Sequence, residues 1–293
     1  MKIQKTSIIL IILISFAYHF IPLLINAQSN SSIRSSSSHA FEWYKTVNDT
    51  SSYCGIDVET DNLGYLYILS SSNSLFKSNS SGGILWEVSL NIADGRIYGA
   101  AISVDNSDFI YVTGYHSQKV NSTYDRDMIL FQYDSTGNLK WYRTWNASKN
   151  DYGNSVTVDK SGNVYVAGYY EREVIDGYTS DYDVILLKYD LNGNLLWLRT
   201  WNGSNSDYGN RVAVDNSGNV YVTGKYYNEE YYTDMILLKY DSSGVFFWMR
   251  SSCTSGYDEG NDIVIDNLGN VYVTSDILKE VFIYKYNSSG NSI

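Results

Sequence analysis

Two nearly identical segments carry the residues of this chain that are best suited to contact a ligand. "DYGNSVTVDKSGNVYVAG" begins at Asp151 and "DYGNRVAVDNSGNVYVTG" begins at Asp207. Tyr offers a large rigid surface with a hydroxyl group, and Asp accepts hydrogen bonds from sugar hydroxyls or amines. The pattern predicts a surface that binds a glycan, a small polar ligand or a protein partner. The candidate residues are Asp151, Tyr152, Asp207, Tyr208, Tyr257, Asp258 and Tyr98.

The loops near these segments strengthen the prediction but leave an alternative open. Long aromatic loops such as "YYEREVIDGYTSDYD" and "KYYNEEYYTD" follow the strand-like runs. In a repeated four-stranded sheet they emerge on the same face as the "DYGN" segments, whereas the other face carries short Gly turns. Alternatively, the tyrosines pack one repeat against the next, and Asp151 and Asp207 cap turns.

Tryptophan spacing reveals the element that positions these residues. Five Trp anchors lie 43, 55, 56 and 51 residues apart, at Trp43, Trp86, Trp141, Trp197 and Trp248. Each repeat contains four strand-like runs, for example "LLWLRTW", "NRVAVD", "NVYVTGKYY" and "DMILLKYD". Five repeats of four antiparallel strands indicate an all-β fold, a β-propeller with one sheet per blade.

The two ends of the array predict how the ring closes. The array opens with a lone Trp strand, "FEWYKTV" at 41–47, and ends with "VFIYKYNSSGN", where another Trp strand should follow. Pairing of the strand at 41–47 with the C-terminal blade would close the ring and remove exposed sheet edges. An open arc completed by a second copy is the alternative.

The repeat resembles a known family. "VDKSGNVYVAG", "VDNSGNVYVTG" and "IDNLGNVYVTS" are similar to the SBBP β-propeller repeat of exported bacterial and archaeal proteins and, more loosely, to quinoprotein-like propellers. The likeness spans about residues 41–293 and weakens in the first unit, "ETDNLGYLYILS". It implies a propeller at the cell surface or outside the cell, and it implies no catalytic residues.

An enzymatic function is the alternative to a binding module. The chain has no G-x-S-x-G, P-loop or C-x-x-C pattern, and its three histidines, His19, His39 and His116, are not expected to form a catalytic or metal cluster. Carboxylates in the central channel could still support an extracellular glycoside hydrolase or lyase. Because units three and four repeat nearly identical loops, equivalent binding sites are favoured over one asymmetric active site. We expect no cofactor and no catalytic residue.

The turn aspartates are predicted to be structural. "D-x-S-G-N" resembles part of a calcium loop, but the further oxygen ligands and the terminal Glu that such a loop needs do not recur. We therefore expect no metal site, and we expect these side chains to cap turns. They are Asp105, Asp159, Asp215 and Asp266.

Cys54 and Cys253 are the two cysteines of the chain. In a closed ring they belong to neighbouring units on the same face, so a disulfide between them could pin the closure in an oxidising compartment. Two unpaired thiols are the alternative.

The N-terminal segment predicts export. Lys2 and Lys5 precede an apolar run that ends at Ala27, which is typical of a signal peptide, although the run is also long enough for a signal anchor. We assign 1–27 to the signal, 28–40 to a Ser/Asn-rich tether and 41–293 to the propeller. Glycosylation candidates are Asn48, Asn79, Asn121, Asn146, Asn202 and Asn287.

Charge and localisation limit the partners. A formal net charge of −11 disfavours nucleic acid, because phosphate groups would be repelled. We expect a secreted or cell-surface protein that contacts a membrane only through a possible N-terminal anchor. An extracellular glycan or protein partner and a monomeric chain are the accompanying expectations. A purely structural surface-layer component is a further alternative.

Overall fold

The described chain consists of antiparallel β-sheets. The structure, a computed structural model, describes residues 54–120, 123–147, 149–172, 181–203, 205–227, 233–252, 256–277 and 280–293. Within these ranges all regular secondary structure is β-strand. None of these ranges contains a helix that is long and apolar enough to cross a membrane. The predicted closing strand at 41–47 and the signal segment lie outside the described residues.

Nineteen strands form five sheets, which are the blades. Blade 1 contains β1 (Gly55–Thr60), β2 (Leu66–Ser70), β3 (Ser74–Ser78) and β4 (Ile84–Ser89). Blade 2 contains β5 (Arg96–Val104), β6 (Ile110–Val120), β7 (Thr123–Tyr133) and β8 (Leu139–Trp145). Blade 3 contains β9 (Asp151–Val158), β10 (Val164–Arg172), β11 (Asp181–Tyr189) and β12 (Leu195–Trp201). Blade 4 contains β13 (Asp207–Val214), β14 (Val220–Tyr227), β15 (Thr233–Tyr240) and β16 (Phe246–Ser251), and blade 5 contains β17 (Glu259–Ile265), β18 (Val271–Ile277) and β19 (Glu280–Tyr286).

The blades form the predicted five-bladed β-propeller. The first strands of successive blades, β1, β5, β9, β13 and β17, pack against one another and line the central channel. The Trp strand is the last and outermost strand of its sheet. The sequence repeat, read from Trp to Trp, is therefore offset from the blade by one strand.

The ring returns on itself within the described residues. The Asp57 carboxylate of blade 1 accepts a hydrogen bond from Ile102 N of blade 2 at 2.9 Å. The same carboxylate interacts electrostatically with Arg211 of blade 4 and Asp262 of blade 5. Charged groups of blades 1, 4 and 5 therefore lie close enough to one another at the channel to interact electrostatically.

The core lies between blades rather than at one centre. Alternation in "VYV" sends Val and Tyr to opposite sheet faces, and adjacent blades cover both faces, as predicted. Val220, Tyr221 and Val222 are all fully buried. A single blade would expose both apolar faces, which explains why the unit repeats.

The turns on the face opposite the long loops are capped by aspartate. Asp159 Oδ1 accepts hydrogen bonds from Ser161 N and Asn163 N, and Gly162 takes a positive φ of 81°. The Tyr165 hydroxyl donates to the other oxygen of the same carboxylate at 3.0 Å. Asp105, Asp215 and Asp266 make the equivalent bonds, so these side chains have the predicted turn-capping geometry.

Blade 5 ends differently from the others. Three of its strands are described, and the last residues turn back so that Ser292 pairs with Tyr286. Ile293 N donates to Lys285 O at 3.1 Å. These residues occupy the start of the outer-strand position, the place where Phe246 pairs with Tyr240 in blade 4.

Candidate functional site

The predicted binding residues converge on one end of the channel, where the inner strands begin. We call this end the channel mouth. In each blade it is formed by two paired residues. One lies near the start of the inner strand, and the other lies opposite it at the end of the second strand of the blade (β2, β6, β10, β14 or β18). These mouth pairs are Cys54–Ser71, Tyr98–Tyr115, Tyr152–Tyr169, Tyr208–Lys225 and Glu259–Asp276.

Tyrosines form a continuous run across blades 2 to 4. Within a blade the two rings stack, with centroids 4.7 Å apart for Tyr98–Tyr115 and 4.6 Å apart for Tyr152–Tyr169. Between blades the contact is edge-to-face, at 5.1 Å for Tyr115–Tyr152 and 4.8 Å for Tyr169–Tyr208. The Tyr run (Tyr98, Tyr115, Tyr152, Tyr169 and Tyr208) thus serves both alternatives, because it packs neighbouring blades together while its rings remain only half-buried or, at Tyr98, exposed.

An arginine braces the middle of the Tyr run. Arg126 Nη1 donates to the Tyr152 hydroxyl at 2.8 Å, and its guanidinium lies 5.8 Å from the centre of the same ring. These contacts attach the Tyr152 side chain of blade 3 to β7 of blade 2.

A cavity of about 330 Å³ opens at the blade 4 end of the Tyr run. It is open to solvent on one side and is lined by Asn154, Tyr169, Tyr208, Asn210, Lys225, Tyr227 and Glu259. Its volume lies at the lower end of the range for small-molecule sites. Burial among neighbouring tyrosines raises the pKa of both Tyr169 and Tyr208, so both hydroxyls remain protonated and able to donate.

The charged residues of the cavity neutralise each other. Lys225 Nζ lies 2.9 Å from Glu259 Oε2, and it also lies 5.2 Å from the centre of the Tyr208 ring. Asn210 Nδ2 donates to Glu259 Oε1 at 2.8 Å and to Gly260 O at 3.0 Å. The cavity therefore presents no net charge to a ligand.

Three predicted ligand-contacting aspartates lie beneath the surface. Asp151, Asp207 and Asp258 are fully buried, so they are not accessible to a ligand. Asp151 Oδ2 accepts from Ala147 N at 2.8 Å, and Asp207 Oδ2 accepts from Gly203 N at 2.5 Å. Asp258 Oδ2 accepts from the Ser252 hydroxyl at 2.8 Å. These bonds cap the loops that connect one blade to the next. They agree with the alternative that the aspartates cap turns.

Burial perturbs two of these carboxyl groups. Desolvation raises the pKa of Asp151 to about 7, and nearby Asp127, Asp125 and Glu171 add to the effect. Desolvation likewise raises the pKa of Asp207 to about 7, helped by Asp183 and Asp181 and opposed by Arg172. Among the described residues, Oδ1 of Asp151 and Oδ1 of Asp207 have no hydrogen-bond partner. Both groups are therefore poised to hold a proton near neutral pH.

The remaining predicted residues lie at the edges of the mouth, and several contributors were missed, among them Asn154, Asn210 and Tyr227 of the cavity. Tyr257 is 68 % exposed at the entry to blade 5, and Tyr98 begins the Tyr run in blade 2. Tyr115, Tyr169, Lys225 and Glu259 were not predicted. An internal signal existed for each: the first three follow the Gly of "VTG" or "VAG", and Glu259 occupies the repeat position of Tyr208.

The channel wall carries a separate set of carboxylates. Arg211 Nε lies 3.9 Å from Asp262 Oδ1, and burial raises the pKa of Asp57 and of Asp262. Desolvation, together with nearby Asp57, raises the pKa of Glu59 to about 7. Within the described residues no group of three or more His, Cys, Asp or Glu could hold a metal ion.

The predicted modification sites are only partly within the described residues. Cys54 is exposed, with Sγ 3.6 Å from the Ser71 hydroxyl, whereas Cys253 lies outside the described residues. Asn48 and Asn121 also lie outside them. Asn146 Nδ2 donates to Asp127 Oδ1 at 2.6 Å, and the Asn202 side chain bonds to Asp183. Asn79 and Asn287 cap turns through Oδ1. The disulfide and the glycosylation of all six sites remain predictions.

Comparison with known proteins agrees with this architecture. A family model described as SBBP, a β-propeller repeat, matches residues 146–169 and 202–225. Among solved structures, the Dos1 propeller superimposes with a TM-score of 0.51 at 12 % identity, over 80 % of this chain and 56 % of that one. The fold is an SBBP-type β-propeller.

Two further proteins are similar to parts of this chain. An uncharacterized WD repeat-containing protein of Acanthamoeba polyphaga mimivirus is 24 % identical over 168 residues, which cover 42 % of this chain and 12 % of that protein. A gluconolactonase from Xanthomonas campestris has a TM-score of 0.44 at 10 % identity, over 77 % of this chain and 70 % of that one. The SBBP-type propeller therefore spans a small part of its mimivirus relative and just over half of the Dos1 propeller.

Proposed function

We propose that this SBBP-type propeller is an exported, non-enzymatic interaction module that binds its ligand at the channel mouth. The observation that carries the proposal is the Tyr run, which crosses three blades and ends at an open cavity. Half-buried tyrosines held by their neighbours lose little conformational entropy on binding, and such residues dominate many binding surfaces.

Asymmetry of the mouth also supports a binding role. If the Tyr run served only blade packing, equivalent pairs would be expected in every blade. Instead, aromatic pairs in blades 2 and 3 give way to Tyr208–Lys225, then Glu259–Asp276 and finally Cys54–Ser71. One side of the mouth is therefore specialised, so the equivalent sites expected from the repeat give way to a surface suited to one bound molecule.

The test is a ligand screen with a matched variant. The exported chain would be screened by saturation-transfer NMR against glycans and small polar metabolites, in parallel with the double variant Tyr152→Ala/Tyr208→Ala. We expect at least one ligand whose signal the double variant loses while its fold is retained by circular dichroism. Ligands that bind equally to both proteins would refute the proposed site.

Export has its own test. The intact mass of the chain recovered from outside its native cells would be measured. We expect a chain that begins near Gln28, or one that retains residues 1–27 in a membrane fraction if the segment acts as an anchor. Recovery in the cytosol alone would contradict export.

A glycoside hydrolase is the second candidate, and one observation favours it. Glu59 and Asp57 lie two residues apart on the same strand face, and a pKa of about 7 suits Glu59 to donate a proton. Release of reducing sugar from extracellular polysaccharide, abolished by Glu59→Gln, would support this candidate. Absence of turnover on ligands that the mouth binds would support the binding module.

A further inference from the structure

We propose that the cavity at the blade 4 end of the mouth binds a neutral sugar residue, with the Tyr run carrying the adjoining residues of an oligosaccharide. This inference rests on the proposed function and specifies its ligand class. It is carried by the charge balance, the open side and the hydrogen-bonding groups of the cavity.

Charge balance disfavours a charged ligand. The Lys225 ammonium and the Glu259 carboxylate are paired at 2.9 Å, and the second carboxylate oxygen is held by Asn210. An anionic ligand would compete with Glu259 for Lys225, and a cationic ligand would compete with Lys225 for Glu259. Each would pay to break an existing ion pair, whereas a neutral ligand would not.

The cavity superficially resembles an aromatic cage for a quaternary ammonium group, but that position is already taken. Tyr169, Tyr208 and Tyr227 line it together with a carboxylate, which is the usual composition of such a cage. Lys225 Nζ, however, lies 5.2 Å from the centre of the Tyr208 ring, so the protein's own ammonium makes the cation–π contact. A second cation there would meet like charge.

The rings at the cavity are already engaged with their neighbours. Tyr169 and Tyr208 meet edge-to-face at 72° with centroids 4.8 Å apart, and Lys225 Nζ lies over the Tyr208 ring. The exposed lining of the cavity is mostly polar. A sugar would therefore be held there chiefly through its hydroxyls.

Hydrogen-bonding groups surround this cavity with both donors and acceptors. Asn154 Nδ2 donates to Gly209 O at 2.9 Å and Asn210 Nδ2 donates to Glu259 and Gly260. Asn210 uses both amide N–H groups and so offers its carbonyl oxygen as an acceptor, whereas Asn154 uses one N–H group in its bond to Gly209 and can both donate and accept. Lys225 and the tyrosine hydroxyls supply donors. Sugar hydroxyls both donate and accept, so they match this mixture.

The open side of the cavity allows an oligosaccharide rather than a single sugar, because a chain is not closed off after its first residue. From the cavity, the half-buried rings of Tyr169, Tyr152 and Tyr115 continue across blades 3 and 2. Tyr152 and Tyr169 stack on each other with centroids 4.6 Å apart. Adjoining sugar residues would therefore meet hydroxyls and ring edges of the run rather than free ring faces.

The experiment measures binding of defined oligosaccharides to the full exported chain by isothermal titration calorimetry. The neutral probes are the tetrasaccharides of cellulose, xylan, mannan and chitin; the charged probes are tetragalacturonate and choline. We expect at least one neutral probe to bind, with neither charged probe binding as tightly. Tyr208→Ala should weaken that binding at least tenfold. The control Tyr142→Ala removes an exposed tyrosine of the outer strand β8 and should leave binding unchanged.

A charge variant provides an independent test. Lys225→Met removes the ammonium from the Tyr208 face and leaves the Glu259 carboxylate unpaired by lysine, so we expect it to gain choline binding that the unmodified chain lacks. Tightest wild-type binding of tetragalacturonate or choline, or failure of all four neutral probes to bind, would overturn the ligand class. If the broader screen then finds another ligand that depends on Tyr208, the proposed binding site stands and only the sugar is wrong; if no ligand depends on Tyr208, both fail.

Discussion

At the residue scale, buried carboxyl groups make the stability of this propeller depend on pH. Asp151 and Asp207 have a pKa of about 7 in the folded chain. In an unfolded chain a carboxyl of this type titrates near 4. The folded state therefore binds these two protons more tightly than the unfolded state does. The stability that they contribute is fully present below about pH 4 and is lost as the pH rises through about 7.

The expected result is a free energy of unfolding that falls between pH 5 and pH 8. The double variant Asp151→Asn/Asp207→Asn removes both titrations while its amide oxygens can still accept from Ala147 N and Gly203 N. We expect this variant to show a flatter pH dependence, measured by urea denaturation at each pH. Glu59, whose pKa is also raised to about 7, is present in both proteins. The difference between their pH slopes therefore reports on the two aspartates. Identical slopes for the two proteins would contradict the assignment.

A second residue-scale prediction concerns Gly224, which pairs with Gly209 and packs closely against the backbone of Tyr208. A Cβ atom at Gly224 would lie 1.9 Å from Tyr208 O, within the backbone of the inner strand. Gly224→Ala should therefore destabilise the fold by about 2 kcal/mol or more, because backbone has to move. Thermal unfolding checks this result. Gly55 is the matched control, since a Cβ there meets nothing within 4 Å; equal effects of the two substitutions would refute the explanation.

At the element scale, an arginine attaches the outer strand of blades 2, 3 and 4 to a turn of the next blade. Arg199 on β12 donates through Nε to Gly244 O at 2.6 Å and through Nη2 to Ser243 O at 3.1 Å. Lys188 Nζ donates to Ser242 O at 2.9 Å. Arg143 and Arg250 make the equivalent bonds to Gly193 O and Gly290 O. The W-x-R pattern of the repeat is thus explained by attachment between blades.

This attachment predicts that Arg199→Lys is not a conservative change. Lysine cannot reproduce the forked donation of the guanidinium to two carbonyl oxygens. We expect both Arg199→Lys and Arg199→Ala to lower the free energy of unfolding by about 1–3 kcal/mol, measured by urea denaturation. Lys160→Ala, in an exposed turn, should change it by less than about 0.5 kcal/mol. A neutral Arg199→Lys would show that charge alone maintains the contact.

The channel mouth illustrates which site residues could and could not be predicted from the sequence at this scale. The repeat places Tyr152 and Tyr208 at equivalent positions, so their shared face was predictable from strand order. The partners Tyr169 and Lys225 were missed because they are fixed by the register of β10 and β14 against the inner strands. A β-bulge in each inner strand shifts that register by one residue, and no turn residue marks it in the sequence.

At the scale of the whole molecule, closure of the ring remains the main prediction. The third strand of blade 5, β19, exposes Val281, Phe282 and Ile283, whereas the equivalent strand β15 is buried throughout. Ser292 and Ile293 pair only with the end of β19 nearest the turn. The strand predicted at 41–47 would therefore have to pair with the remainder of β19, on the N-terminal side of Lys285.

Two shortened chains test this closure. A chain that begins at residue 41 should match the stability of one that begins at residue 28, since 28–40 is predicted to be only a tether. A chain that begins at residue 48 should unfold at lower temperature and associate, because an apolar sheet edge stays exposed. Differential scanning calorimetry and light scattering would measure both effects. Equal behaviour of all three chains would exclude the closing strand.

A disulfide between Cys54 and Cys253 is the covalent counterpart of this closure. Cys54 occupies the mouth position of blade 1, so a bond to Cys253 would link the first and last blades at the mouth. Peptide mapping of the exported chain under non-reducing conditions should detect the linked peptides. Recovery of both cysteines with free thiols would eliminate the bond without affecting the fold.

The sequence by itself determined the blade, the number of blades and the face on which Tyr152 and Tyr208 lie. These features follow from local periodicity and turn chemistry, which repeat along the chain. Only the tertiary structure decided that Asp151, Asp207 and Asp258 are buried beneath that face, and that Lys225 pairs with Glu259 across two blades. Burial and pairing depend on how one blade twists and packs against the next, and that arrangement is set by contacts between residues distant in sequence.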